Sequence, residues 1–217
     1  MKRIKICAVI TDNNTDVIKK AKKASDMFEL RIDLVGSSWP VVARNLKKPW
    51  IATNRSRAEH GLWDGSEEER IIELRRAIEL GAWMIDIELE SPSLDLLLNE
   101  IKGKARCLIS HHEWGGTPPV AALARTVEAS LSAGAYACKL VTTARDFDDN
   151  IRVLRLFQMF PAAKLVAFAM GEKGILSRVI SPLAGACFTY ASIDGARASA
   201  SGQLTIQDMR KIYRVIK

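Results

Sequence analysis

The 217-residue sequence has no run near the roughly 18 consecutive apolar residues that a membrane helix needs, which excludes a membrane-spanning helix. Its N-terminus, MKRIKICAVITDNN, has only a short apolar stretch before polar residues resume, and this reads as a first strand and not as a signal peptide. Cysteine is scarce. The four cysteines, Cys7, Cys107, Cys138 and Cys187, are far apart, each inside an apolar run, and no CxxC pair points to zinc or redox chemistry. They read as reduced packing residues of a cytoplasmic protein. Histidine is rarer still at three residues, with no HExxH, so a metal site has little to be built from. The GxGxxG of an open dinucleotide-binding sheet is missing too, because Thr11-Asp12-Asn13-Asn14 follows the first strand. No linker, low-complexity tract or composition break divides the chain, which reads as one domain over residues 1–217.

What remains is a chain with 48% apolar and 26% charged residues, long enough to enclose one sizeable core. Lys and Arg exceed Asp and Glu by 32 to 25, giving +7. The basic residues are dispersed along helices and do not form a block, which argues against a nucleic-acid partner and leaves an anionic small substrate, or nothing specific, as the meaning of the charge.

Aliphatic and β-branched runs recur with helical segments between them. Eight strands are expected: Ile4–Ile10, Phe28–Val35, Trp50–Asn54, Trp83–Leu89, Ala105–Ser110, Ala135–Val141, Lys164–Met170 and Cys187–Ser192. Helices are expected over Thr15–Ser25, Pro40–Leu46, Glu67–Leu80, Ser93–Ile101, Val120–Ala133, Phe147–Phe160, Ile175–Ala184 and Ile206–Ile216. In Glu67–Leu80, Ile71, Ile72, Leu74, Ile78 and Leu80 form the expected buried stripe, with Glu and Arg over the rest. Eight alternations call for a parallel sheet covered by helices, and at about 27 residues per unit they favour a closed (β/α)8 TIM barrel over an open doubly wound sheet.

Strands of a parallel barrel are buried on both faces, so an ionisable residue in one is costly unless paired or functional. Glu29, Arg31 and Asp33 alternate with apolar residues and are expected to share the inward face, and Asp86 and Glu88 repeat the arrangement. A half-exposed amphipathic strand would show the same pattern. Lys139 stands in Ala135-Tyr-Ala-Cys-Lys-Leu-Val with no charged neighbour in sequence. Burial would lower the pKa of its amine, as a Schiff-base lysine requires, whereas a lysine snorkelling from a strand end would do nothing chemical. His111 and His112 lie at the end of the fifth strand, where barrel enzymes keep their chemistry, and either could act as general acid and base. Met170-Gly-Glu-Lys-Gly-Ile-Leu-Ser-Arg leads into a helix and offers backbone N–H groups and the fork of Arg178 to a phosphate or carboxylate.

From the second strand to the last helix, Glu29 to Arg210, the chain resembles the type I 3-dehydroquinate dehydratases. The resemblance rests on seven motifs in order: E-x-R-x-D (Glu29, Arg31, Asp33), T-x-R-x-x-x-E (Thr53, Arg55, Glu59), I-D-x-E (Ile85, Asp86, Glu88), S-x-H with T-P five residues on (Ser110, His112, Thr117, Pro118), the strand lysine Lys139, M-G-x-x-G-x-x-S-R (Met170 to Arg178) and A-S-A-x-G-Q (Ala198 to Gln203). The chain departs from the family pattern at His60, at Trp114, and at Ser201 beside a one-residue insertion near Arg197. The resemblance implies a homodimeric, cofactor-free and metal-free barrel that converts 3-dehydroquinate to 3-dehydroshikimate in aromatic amino-acid biosynthesis. It implies a Schiff base on Lys139, acid–base catalysis by His112 in preference to His111, and Glu59 as the carboxylate orienting that histidine. It further implies that Arg178 clamps the substrate carboxylate while Glu29, Arg31, Arg55, Ser199 and Gln203 bind hydroxyls or carboxylate. A class I aldolase or transaldolase-like barrel would share the lysine and act on C–C bonds.

Overall fold

The computed structural model describes residues 3–196 and 198–216. Eight parallel strands alternate with helices in the expected order: β1 Ile6–Ile10, β2 Met27–Arg31, β3 Trp50–Thr53, β4 Met84–Glu88, β5 Arg106–Glu113, β6 Ala137–Thr143, β7 Leu165–Met170 and β8 Thr189–Ser192. The helices are α1 Thr15–Ala24, α2 Ile32–Val35, α3 Trp39–Asn45, α4 Glu67–Glu79, α5 Leu94–Ile101, α6 Val120–Ser132, α7 Phe147–Met159, α8 Ile175–Ala184 and α9 Ile206–Ile216. The sheet runs β7-β6-β5-β4-β3-β2-β1-β8, and each neighbouring pair is parallel. Between β7 and β8 the Cys187 N–H donates to the Leu165 carbonyl (3.0 Å), so the curved sheet closes to a (β/α)8 barrel across a seam with no ladder of its own. No helix among the described residues is long and apolar enough to cross a membrane.

Three sequence expectations are corrected by the structure. β2 stops at Arg31 and does not run to Val35, because residues 32–35 turn into α2. Asp33 therefore leaves the strand face shared by Glu29 and Arg31, and its carboxylate instead takes two bonds from Arg31 (2.8 and 2.6 Å) and one from the Leu62 N–H (3.1 Å). β5 continues beyond Ser110 through both histidines, since β6 offers partners to the end: His111 lies opposite Leu140 and His112 opposite Val141. In α4, Ile72 is half exposed and Arg70 takes an inward place, its guanidinium gripped by Glu67, Glu88 and the Asn54 carbonyl. An arginine can be buried at such a position when every donor finds an acceptor.

α4 and α7 both start on capping boxes, Ser66 with Glu69 and Asp146 with Asp149, which satisfy N–H groups that the first helical turn leaves free. Most of the core lies between strands and helices, where Ile85, Ile87, Leu97 and Ile109 have no exposed surface. A second cluster fills the barrel itself. Its base is apolar, with Ile51, Met84, Leu108 and Val166 pointing inward and fully buried. Truncating such a side chain to Ala typically costs about 2–5 kcal/mol. Nearer the C-terminal ends of the strands the inward positions become polar, and this change of character creates the site. Cys7, Cys107 and Cys138 are buried free thiols, as expected, whereas Cys187 is only partly buried.

Candidate active site

Side chains two apart on a strand share a face, so each strand that sends an apolar residue into the barrel base sends the next inward residue higher. By this rule β2 presents Glu29 and Arg31, β4 Asp86 and Glu88, β5 Ser110 and His112, β6 Lys139, β7 Phe168 and Met170, and β8 Tyr190. Parallel register brings them to common heights: Ser110 is opposite both Glu88 and Lys139, and Thr53 is opposite both Arg31 and Asp86. Glu29, Arg31, His112, Lys139, Phe168, Met170 and Tyr190 line a cleft together with Arg55, Glu59, His60, Trp114, Arg178, Ser199 and Gln203, whereas Asp86, Glu88 and Ser110 are buried and do not line it. All nine sequence-predicted site residues, Lys139, His112, Glu59, Glu29, Arg31, Arg55, Arg178, Ser199 and Gln203, meet on its wall.

Lys139 is buried, and its partners come from distant strands. Nζ donates to Asp86 Oδ2 (3.1 Å), lies 3.5 Å from Glu29 Oε1 and sits 4.7 Å from the centre of the Tyr190 ring. The charges continue outward. Arg55 donates to Asp86 (2.7 Å) and to Ser110 Oγ (2.8 Å) and lies 3.0 Å from Glu88, and Glu88 in turn pairs with Arg70 (2.8 Å). Burial pushes the Asp86 carboxyl up, but Arg55, Lys139, the Ser110 hydroxyl and His112 outweigh it and hold Asp86 below the usual carboxylate range. Thr53 Oγ1 donates to Glu29 (2.9 Å). Arg55 thus borders the cleft with its guanidinium already committed, and Arg31 is likewise engaged by Asp33.

His112 is held in a different way. Its Nδ1 is 2.7 Å from Glu59 Oε2, across 53 residues of sequence. Burial, reinforced by the positive charges of Arg55 and Lys139, pushes the imidazole well below its ordinary pKa. Burial also raises Glu59, against the pull of Arg55, to about 7. At neutral pH the ring is therefore uncharged, and where Glu59 is ionised it accepts Nδ1–H and leaves Nε2 with a free lone pair. His111 faces the other way, its Nε2 3.0 Å from Glu113. Strand parity separates the two histidines, once β5 is known to include both.

Glu59 reaches its place through a tight turn. A 3-10 turn over Arg57–Glu59 is closed by His60 N–H to Arg57 O (3.0 Å) and Gly61 N–H to Ser56 O (2.8 Å), and His60 takes a left-handed backbone with φ 57°. A Cβ on Gly61 would stand 2.0 Å from the Arg55 carbonyl oxygen, so only glycine fits there.

On the opposite side, Arg178 rises from the first turns of α8 and is 1% exposed. Nε and Nη2 have no hydrogen-bond partner among the described residues, and the guanidinium carbon lies 4.1 Å from the centre of the Phe168 ring. Burial alone pushes its pKa down to about 10. A buried fork of N–H donors with unused positions is built to receive an anion, and a carboxylate matches its geometry. Beside it, the Ser199 N–H and hydroxyl both donate to Gln203 Oε1 (2.9 and 3.1 Å), so these two residues stabilise one another. The loops carrying Arg178 and Ser199 touch: the Gly171 N–H donates to the Ser201 carbonyl (3.2 Å), and a Cβ on Gly202 would stand 2.3 Å from the Gly171 oxygen. Arg197, near the insertion read from the sequence, lies outside the described residues.

Among the described residues no group of three or more His, Cys, Asp or Glu is arranged to hold a metal ion. Sequence reasoning gave no site role to Asp86, Ser110, Phe168, Tyr190, His60 or Trp114. For Asp86 and Tyr190 the signal was available, because they share inward parity with neighbours in the barrel. His60 and Trp114 stood out only as departures from the family pattern, and nothing in the sequence showed that they meet across 54 positions.

The family model for Type I 3-dehydroquinase matches residues 6–217. A curated 3-dehydroquinate dehydratase of Dehalococcoides mccartyi is 45% identical over 217 residues, covering 100% of this chain and 97% of the relative. Another from Methanococcus maripaludis is 36% identical over 220 residues, covering 98% and 100%. The solved structure of 3-dehydroquinate dehydratase from Geobacillus kaustophilus HTA426 shares the fold with a TM-score of 0.90 at 22% identity, covering 99% of this chain and 91% of that one. A family match over nearly the whole chain, with relatives similar along their full length, decides between the dehydratase and aldolase readings of the lysine barrel: the chain belongs to the type I 3-dehydroquinases, hydro-lyases of the shikimate pathway.

Proposed function

We propose that the chain, working as one catalytic domain, converts 3-dehydroquinate to 3-dehydroshikimate through an imine on Lys139, with His112 as general base and then general acid. The observation that carries this reading is the meeting of a buried lysine amine and an imidazole uncharged at neutral pH on one cleft. The Lys139 ammonium gives up a proton, the amine adds to the C3 ketone, and a proton returns as the carbinolamine loses water, leaving a protonated imine. That iminium keeps a positive charge on the nitrogen that carried it in the ammonium, so Asp86 and Glu29 are already placed to pair with it. The iminium withdraws electrons from C2, and His112 Nε2 takes the C2 proton to leave a neutral enamine in place of an enolate. The enamine electrons return, the C1 hydroxyl departs with the proton from His112, and hydrolysis of the imine frees product and amine. The net change is loss of one water.

Arg178 takes the role of carboxylate clamp, while Glu29, Arg31, Arg55, Ser199 and Gln203 bound the remainder of the substrate. A homodimer in the cytoplasm is part of the same proposal, and light scattering of the purified chain tests the dimer. For the chemistry, borohydride added with 3-dehydroquinate is expected to fix the ligand to the protein and peptide mass analysis to place it on Lys139. An unmodified Lys139 in a preparation that still forms 3-dehydroshikimate would overturn the imine. The same trapping should persist in His112→Ala, which makes the adduct but does not turn it over, and His111→Ala should remain active.

A further inference from the structure

The imidazole of His112 can rotate about two side-chain bonds, and the bond from Glu59 to Nδ1 fixes only its edge. A second contact acts on its plane. Trp114, two residues further along the chain on the same side, is stacked against His112 with ring centres 5.4 Å apart and planes at 21°. Trp114 is itself 39% exposed, so burial does not hold it. What lies against it is His60, with ring centres 4.1 Å apart and planes at 26°. His60 stands on the turn that also carries Glu59, in a left-handed conformation that side chains other than glycine seldom adopt. All three rings border the cleft.

We propose that Trp114 and His60 are positioning residues for the acid–base histidine: Trp114 sets the plane of the His112 ring, and His60 acts through Trp114 by clamping the indole. One rigid turn thereby governs the base twice, at its edge through Glu59 and at its face through the residue that follows. The proposal rests on the assignment of His112 as base. Proton transfer is sensitive to angle, and a misplacement of about 1 Å can cost around a hundredfold. The clamp therefore acts on the proton-transfer steps and leaves imine formation alone.

The test compares His60→Gly, Trp114→Ala, Trp114→Phe and the His60→Gly/Trp114→Ala double variant. Glycine takes a positive φ without strain, so His60→Gly is expected to melt no lower than the parent protein. Its kcat should nevertheless fall by roughly 3–10-fold and that of Trp114→Ala by roughly 10–100-fold, with smaller changes in KM. Trp114→Phe should recover part of the loss. With 3-dehydroquinate deuterated at C2, the isotope effect on kcat should be larger in both single variants, while borohydride trapping at Lys139 proceeds at the parent rate. Because the two residues act in series, removing His60 should cost nothing further once Trp114 is gone. An unchanged isotope effect, additive losses in the double variant, or losses confined to KM would each overturn the clamp. Failure of His112→Ala to impair turnover would overturn the underlying assignment of the base instead, so the two failures are distinguishable.

Discussion

The two walls of the cleft are both rich in charge, but they treat it in opposite ways. On the wall formed by β2 to β6, the carboxylates of Glu29, Asp86 and Glu88 interleave with Lys139, Arg55 and Arg70, and each cation is within bonding distance of an acid. On the wall formed by β7, α8 and the loop after β8, Arg178 is as deeply buried as Arg55 and has an aromatic face and two idle donors in place of a carboxylate. Burial is therefore not what distinguishes the two arginines. The first wall is neutralised from within and can be rigid before any ligand arrives. The second leaves a buried guanidinium without an acidic partner among the described residues, the position that the proposed substrate carboxylate would fill. Its desolvated guanidinium costs stability in the free protein, a cost that functional sites commonly carry.

The difference can be broken or sharpened by substitution. The largest effect is expected at His112, where His112→Ala should lower kcat by about 10²–10⁴-fold, the usual worth of general acid–base catalysis, in steady-state assays of dehydroshikimate formation. Next is Arg55→Gln, which removes the cation shared by Asp86 and Glu88 and leaves each with one cation, Lys139 and Arg70 respectively. Removing one partner from a buried ion-pair network typically costs about 3–5 kcal/mol, seen in a chain of this size as a melting temperature lower by roughly 6–20 °C. Arg178→Gln should do the reverse, leaving the melting temperature level or higher while kcat/KM falls by roughly 10–150-fold through loss of a charged hydrogen bond worth about 1.5–3 kcal/mol. Equal destabilisation by the two arginine changes would abolish the contrast between the walls.

The smallest effect concerns pH. Above about 7 Glu59 is ionised and holds His112 with Nε2 unprotonated, whereas below it the acid donates to Nδ1 and moves the proton onto Nε2, where it blocks the base. The value of kcat/KM should thus fall with decreasing pH through an apparent pKa near 7 that belongs to the Glu59–His112 pair. A limb at the same position in Glu59→Gln would remove Glu59 from this role.

The alternation of strand and helix was legible because parallel strands between helices leave aliphatic runs at regular intervals, and all eight lie where those runs do. The inward charges of Glu29, Asp86 and Glu88 followed from period two, and Lys139 was conspicuous as an ammonium in an apolar strand. What could not be read were partners. Asp86 is 53 residues from Lys139, and only the barrel register brings them to 3.1 Å. The same long-range pairing explains the errors. β5 outran its aliphatic run because β6 offered it a partner to the last residue, and Arg70 was placed outside because Glu88, its inward acceptor, comes from another element. Asp33 broke the alternation for a local reason: it bonds its own neighbour Arg31 and a loop N–H, which suits a turn better than a strand. His60 and Trp114 were marked only as departures from the family pattern, with no sign that their rings meet.

The seam between β7 and β8 bears on how the barrel handles its ligand. A laddered pair resists sliding because backbone bonds tie it across along its length, and the strands that carry Lys139 and His112 are laddered with both neighbours. Across the seam, among the described residues, the Cys187 N–H meets the Leu165 carbonyl below, the Gly171 N–H meets the Ser201 carbonyl above, and the Phe168 and Tyr190 rings are in edge contact. The join without a strand ladder thus falls beside Arg178, away from the laddered strands that align amine and imidazole.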